Sequence, residues 1–256
     1  MPMSSDTYIE ELKFKTDAGL GARARIGLII LQSDQTAEHE FATLLRQDGV
    51  ALYHARIPNA MEVTPETLRA MEQDLPVAAG LLPSAFGFDA IGYCCTSGAT
   101  MIGEDRVDQL IRDIHPGAKT TNPLSACKAA LAALGVTRFA LVTPYAPSVT
   151  SEMQRNLSEA GFETAAVASF NQSDDFTVAR ISSGSILDAI LAVGQRDGCD
   201  AVFVSCTSLR VLPVIAEAEA LLGKPVISSN QATAWHLMRL AGLDDGPADA
   251  GRLFQF

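Results

Sequence analysis

The sequence predicts an α/β protein of two similar halves, each a parallel sheet covered by helices on both faces. Three observations carry that reading. Short β-rich runs alternate with longer segments of helical period along nearly the whole chain, the pattern written by parallel strands and their crossover helices. The order of strands and helices in the first half recurs in the second. Finally, residues 89–97, DAIGYCCTS, return at 200–208 as DAVFVSCTS. Asp-Ala, a β-branched residue and a closing Cys-Thr-Ser keep the same register, so the repeat pairs Cys95 with Cys206.

The first half opens on the strand RARIGLIIL (23–31). TAEHEFATLLRQDG follows as a helix with Thr36 as N-cap and Gly49 as its stop. ALYHARI is the second strand. TPETLRAMEQDLPVAAGLL opens a helix at Thr64, Pro65 and Glu66, where proline's fixed φ and missing N–H suit the first turn. FDAIGYC is the third strand; after it come a helix near 103–114, a short strand at 118–121 and a helix from about 123 to 134 that Gly135 ends. In the second half RFALVTP, SVTSEMQRNLSEAG, FETAAVASF, SILDAILAVGQRDG and DAVFVSC repeat strand, helix, strand, helix, strand. VLPVIAEAEALLG, KPVISS and QATAWHLMRLAG complete the plan. Even the late turns correspond, GAKTTN ending at Asn122 and GKPVISSN at Asn230. The expected division is 1–124 plus 232–256 for one domain and 125–231 for the other.

A chain of 256 residues with 48% hydrophobic and 19% charged residues is an ordinary globular protein. Its formal net charge of -11 and its lack of any clustered Lys/Arg stretch argue against the basic face that nucleic acid requires. The first twenty residues mix both charges with apolar positions, so no signal peptide is expected. IGLIIL is far shorter than the roughly 20 apolar residues of a bilayer crossing. A soluble, cytoplasmic protein with no membrane attachment is the expectation, and in that compartment its five cysteines are free thiols.

In an open parallel sheet, ligands bind beyond the carboxyl ends of the strands. Cys95 and Cys206 stand at such ends, as do Ser33 and Asp34 after the first strand, Thr143 to Tyr145 after its counterpart, and Asn122 and Asn230 after the late short strands. Halves that face each other bring all of these to one cleft. A thiol, with an ordinary pKa of about 8.5, becomes a useful acid, base or nucleophile where helix N-termini favour the thiolate. Each Cys-Thr-Ser turn, with Thr96 and Ser97 or Thr207 and Ser208, is expected to open a helix and offer N–H groups and hydroxyls to a substrate carboxylate. Two thiols on opposite faces of a carboxylate-bearing carbon suit proton removal from one side and return to the other. One thiol alone can add to an activated double bond.

Packing competes with chemistry at each position. A buried cysteine is often a small apolar filler. Strand alternation turns Cys94 away from Cys95, Cys127 sits in an Ala-rich helix and Cys199 in a polar turn, and all three read as structural. Asp34 fits a solvated loop acid as well as a substrate contact; Gln35 and Thr36 suit a ligand or a helix cap. Asn122 and Asn230 are also capping residues by type. Tyr145, in a Pro-Tyr-Ala-Pro turn, has no evident core role. The four histidines are scattered and no Cys/His spacing forms a metal set. GLGAR precedes a strand instead of following one, so it is not a dinucleotide loop.

The paired Cys-Thr-Ser halves resemble the aspartate/glutamate racemase superfamily, in the branch that holds maleate cis-trans isomerase and arylmalonate decarboxylase. CTSGATMIGE, LVTPYAPSVTSEM, SCTSLR and SSNQATAWHLMRLAG, with the closing GRLF, look nearest to the ectoine-utilisation protein A group. The resemblance implies two flavodoxin-like domains related by pseudo-two-fold symmetry, an active site between them, no metal or organic cofactor, and a homo-oligomer. It implies Cys95 and Cys206 as the reacting pair and Tyr145 as a contact to a substrate carboxylate. The matches depart in places. LQSDQT offers Gln35 where maleate isomerases usually carry an asparagine, Ser208 and Leu209 stand where amino-acid racemases tend to carry histidine, and Cys95 is present where arylmalonate decarboxylases lack a cysteine. The implied substrate is a small carboxylic or amino acid, with a diaminobutyrate derivative from ectoine breakdown as the finer suggestion. Two-thiol racemisation, cis-trans isomerisation with Cys95 as nucleophile, and decarboxylation with Cys206 as proton donor all fit; outside enzymes, a small-acid sensor does.

Overall fold

The computed structural model describes residues 9–256 and contains two four-stranded parallel sheets. In the first, β1 (Ala24–Leu31), β2 (Val50–Ile57), β3 (Ala90–Cys94) and β4 (Lys119–Thr121) lie in the order β2-β1-β3-β4. In the second, β5 (Arg138–Thr143), β6 (Glu163–Ser169), β7 (Ala201–Val204) and β8 (Val226–Ser228) lie in the order β6-β5-β7-β8. The orders are the same, so the repeat in the sequence is a repeat of topology. Both are the flavodoxin-like arrangement, with a crevice between the first and third strands where the chain reverses direction across the sheet. The central strands are apolar on both faces: Ile26, Leu28, Ile29 and Ile30 of β1 and every residue of β7 are fully buried, because helices cover the sheets from both sides.

The helices are α1 (Ala37–Leu45), α2 (Pro65–Ala70), α3 (Leu75–Gly80), α4 (Thr96–Ile102), α5 (Glu104–Arg112), α6 (Pro123–Ala133), α7 (Pro147–Glu159), α8 (Asp175–Val178), α9 (Ser183–Gly194), α10 (Ile215–Leu222) and α11 (Ser229–Leu240). Thr64 caps α2 as expected, accepting from the Thr67 N–H, but the helix expected to run on from it is broken. Pro76 stands in the first turn of a second helix, α3, since proline cannot continue a helix from its interior. The helix placed near 103–114 starts earlier, at Thr96, and Gly103 at φ +98° divides it into α4 and α5. α1 begins after Thr36, yet the cap is Asp34: its Oδ1 accepts from the N–H groups of Thr36 (2.8 Å) and Ala37 (2.7 Å). α8 is a short helix the sequence pattern did not signal.

Two features join the halves over the strand ends. The stretch after β2 meets the stretch after β6: the Val63 N–H donates to the Ser173 carbonyl (2.8 Å), the Asp175 N–H to the Met61 carbonyl (3.1 Å), and Glu62 bridges Asp174 in antiparallel sense. After β8 the chain returns to the first sheet, where α11 packs on α6, α1 and β3. Among the described residues no helix is long and apolar enough to cross a membrane.

Candidate active site

β3 delivers Cys95 to the N-cap of α4. Its Sγ accepts from the Gly98 N–H (3.2 Å) and lies 3.7 Å from Ser97 Oγ. Glycine at 98 makes room for this: a Cβ there would come 2.9 Å from the sulfur and overlap the Tyr93 hydroxyl. Alternation turns Cys94 the other way, fully buried with its thiol toward the Gly92 carbonyl. Burial pushes the Cys95 thiol up to about 11; the Gly98 N–H and Ser97 hydroxyl pull it down, and the charge of Asp175 adds to the rise.

Cys206 is held differently. It adopts φ +120°, a region that L-residues avoid and that structures tolerate where surrounding contacts over-determine it. Its N–H donates to Ser229 Oγ (3.0 Å), and Ser229 Oγ is in turn 2.8 Å from Thr96 Oγ. The first residue of α11 thus ties both Cys-Thr-Ser turns. The helix expected directly after Cys206 does not form; a turn runs through Leu209 and is followed by a single 3-10 turn at Leu212–Val214. The turn is pinned to the first half instead: Thr207 Oγ1 donates to the Cys94 carbonyl (3.3 Å), and Thr36 Oγ1 donates to the Ser208 carbonyl (2.9 Å). Burial, and then Asp175, push the Cys206 thiol well above the usual range, against the Ser208 N–H and the Tyr145 hydroxyl.

Both cysteines line one small cavity, with about 20 Å³ open to the centre of a water molecule. Thr96, Ser97, Thr207, Ser208, Tyr145 and Asp175 share its wall, and the segment between β2 and α3 closes it through Asn59, Val63, Thr67 and Met71. Tyr145 is buried, and its phenol is held well above the usual range by burial first and then by the two thiols. It therefore stands as a proton-bearing donor beside Cys206 in the same wall.

The family model for arylmalonate decarboxylase matches residues 47–254. This chain belongs to that family. A maleate isomerase of Pseudomonas putida is 28% identical over 242 residues, spanning 90% of this chain and 96% of that protein. The maleate isomerase Iso of Pseudomonas putida S16, solved as a cysteine-to-alanine variant with maleate, superposes with a TM-score of 0.82 at 25% identity, over 90% of this chain and 97% of its own. A maleate cis-trans isomerase of Nocardia farcinica, a cysteine-to-serine mutant with a covalently bound succinylcysteine intermediate, superposes with a TM-score of 0.78 at 26% identity, over 90% of this chain and 98% of its own. The two sheets are the two-domain fold of these enzymes, and the chain is an enzyme of this family.

Within this member of the arylmalonate decarboxylase family, the structure brings together Cys95, Cys206, Thr96, Ser97, Thr207, Ser208 and Tyr145. Ser33 and Asp34 stand one layer behind. Ser33 Oγ donates to Asp175 and accepts from Asn59 Nδ2 (2.8 Å), while Asp34 is buried as the α1 cap, 3.5 Å from the Ser208 hydroxyl, its pKa raised by burial. Three expected substrate contacts are not among the residues brought to this cavity. Gln35 is exposed and borders a surface hollow with His39 and Arg210, because Asp34 takes the inward position in that turn. Asn122 caps α6, its Oδ1 accepting from Leu124 N–H (3.0 Å) and Ser125 N–H (3.1 Å), beside a separate hollow with Glu104 and Lys128. Asn230 lies inside α11 and donates to Glu40 Oε2 (2.8 Å) and the Thr207 carbonyl (2.9 Å), so it braces a turn from behind. Cys199 is buried in spite of its polar surroundings. Sequence reasoning missed Asp175 and Asn59. Both follow the second strand of their half, and the strand-end rule applied to β2 and β6 as well as to β1, β3, β5 and β7 points to them.

Proposed function

We propose that this enzyme is a cofactor-independent isomerase of a small carboxylic acid in which Cys95 and Cys206 are the reacting groups. The observation that carries the reading is that the two repeat cysteines, one from each sheet, open onto a single small cavity. With a substrate α-carbon between them, one sulfur as thiolate removes the α-proton and the electron pair passes into the carboxylate. The opposite thiol then delivers its proton to the other face, and the thiolate is left on that sulfur. Cys95 is the better base, because the Gly98 N–H and Ser97 hydroxyl support its anion and its pKa is the lower of the two. Cys206, more strongly held as S–H, is the better donor. The unpaired N–H groups at the start of α4, with the hydroxyls of Thr96 and Ser97, suit the substrate carboxylate.

A second reading rests on the Nocardia farcinica enzyme with its succinylcysteine. There the Cys95 thiolate adds to one alkene carbon, a proton goes to the other, rotation follows about the new single bond, and loss of the proton and the thiolate restores the alkene in trans form. Proton exchange of small carboxylates in deuterated water, with maleate-to-fumarate conversion followed by NMR, separates the two. Replacing either cysteine by serine should abolish turnover in both, since a hydroxyl is a far poorer acid at neutral pH. Only the cis-trans route leaves a thioether mass on Cys95. Full activity in Cys95→Ser overturns the two-thiol reading and leaves decarboxylation through Cys206.

A further inference from the structure

The cavity wall carries charge of one sign. Asp175 and Glu62 line it, and among the described residues no Lys, Arg or His does. Asp175 is only 5% exposed, yet it takes part in none of the ion pairs among the described residues. Its two oxygens accept from neutral hydroxyls alone, Ser33 on one and Ser208 (3.1 Å) on the other. Its backbone is fixed by the N–H bond to Met61 across the two halves, so the carboxylate is aimed. Asp34 adds a second buried carboxylate behind Ser208. A buried carboxylate without a cation is costly, and hydroxyl donors offset only part of that cost.

We propose that Asp175 receives a substrate ammonium, so that this enzyme acts on an amino acid and not on a dicarboxylate such as maleate. The inference rests on the two-thiol reading of the same cavity. A dicarboxylate sets its second negative charge against Asp175 with no cation to receive it; an amino acid supplies the missing counter-ion and still offers a carboxylate to the Cys-Thr-Ser turns. The charge of Asp175 also bears on both sulfurs and favours their protonated forms. A bound ammonium offsets that charge, while burial, the larger cause of the shift at both sulfurs, stays in place.

Titration calorimetry of the whole protein tests this with the common amino acids in both enantiomers, their deaminated acids, maleate and succinate. At least one amino acid should bind tenfold or more tightly than its deaminated acid and than maleate. Asp175→Asn should lose at least tenfold for that amino acid and gain affinity for maleate. The wild-type ratio needs no variant, so misfolding of Asp175→Asn leaves the test intact. Maleate binding as tight as any amino acid, an unbound amino-acid panel, or an unchanged ratio in a folded Asp175→Asn overturns the assignment. Turnover of maleate that needs both cysteines removes the ammonium site and keeps the two-thiol reading. The expected selectivity with α-proton exchange surviving loss of both thiols keeps the site and removes the reading.

Discussion

The turns at Cys95 and Cys206 share Cys-Thr-Ser and differ in nearly everything else. At Cys95 the backbone is extended, φ -148°, the sulfur caps a helix, and the supporting N–H belongs to the same turn. At Cys206 the backbone sits at φ +120°, no helix follows directly, and the N–H is held by Ser229 from a distant element. The first thiol is supported locally, the second by the packing of α11 and of the first half. In the proposed two-thiol mechanism the difference suits them to different work: the Cys95 anion has the better local support, and Cys206 is held more strongly as S–H.

The largest effect expected from breaking this comparison is on turnover. Cys95→Ser and Cys206→Ser should each cost about 10²- to 10⁴-fold in kcat, and proton exchange without racemisation should survive in only one of them. Next is Glu40, buried between α1 and the Cys206 side, where its oxygens accept from the Leu212 N–H (3.1 Å) and Asn230 Nδ2 (2.8 Å). Burial raises its pKa to about 7 from 4.5. The fold therefore binds the proton more tightly than the unfolded chain does, and this contribution is full below pH 4.5 and lost as pH rises to 7. The loss is about 3 kcal/mol. Denaturant titrations across that window should show stability falling with pH in the wild type and a shallower slope in Glu40→Gln, the remainder coming from the raised carboxyls of Asp34 and Glu219.

Smaller effects separate the two turns directly. Gly98→Ala crowds the Cys95 sulfur and Tyr93 and should cost about 1–3 kcal/mol of stability, with Cys95 alkylation altered and Cys206 alkylation kept. Ser229→Ala leaves the Cys206 N–H without its acceptor and Thr96 Oγ1 without its partner and should cost about 1–3 kcal/mol, with the larger change at Cys206, because the Cys95 sulfur keeps its Gly98 N–H. Equal responses at both sulfurs in either variant would mean that the turns are not independently supported. The finest test is the order of iodoacetamide labelling by mass spectrometry. Cys95, at about 11, should react ahead of Cys206, and its rate should rise about tenfold per pH unit below that value. The packed thiols of Cys94, Cys127 and Cys199 should lag behind both.

Much of the fold is legible from local pattern because burial on both faces of a parallel sheet writes itself as continuous apolar runs. β1, β3, β5 and β7 lie where IGLII, AIGYC, RFALVT and AVFV read as strands. The breaks before α3 and at Gly103 are not marked by periodicity, since a helix-period pattern survives an interruption of four residues after Ala70 or of one at Gly103. In the site, the residues brought to the cavity are those adjacent to the repeated cysteines and Tyr145. Asn122 and Asn230 look equivalent as letters, but one caps α6 while the other sits past the Ser228 cap of α11, and a capping residue spends its oxygen on the backbone.

The sequence by itself determined that there are two like sheets, which strands carry the thiols, and that Cys95 and Cys206 correspond, because periodicity and repetition are properties of neighbouring residues. Only the tertiary structure decided that Asp175 and not Gln35 reaches the cavity, that Asp34 is spent on a helix cap, and that Cys206 takes a backbone it would not take alone. Those outcomes depend on which partner each side chain meets when the halves close over one another. The meeting of Met61 with Asp175 and of Cys206 with Ser229 is made by elements far apart in the chain, so no local pattern records it.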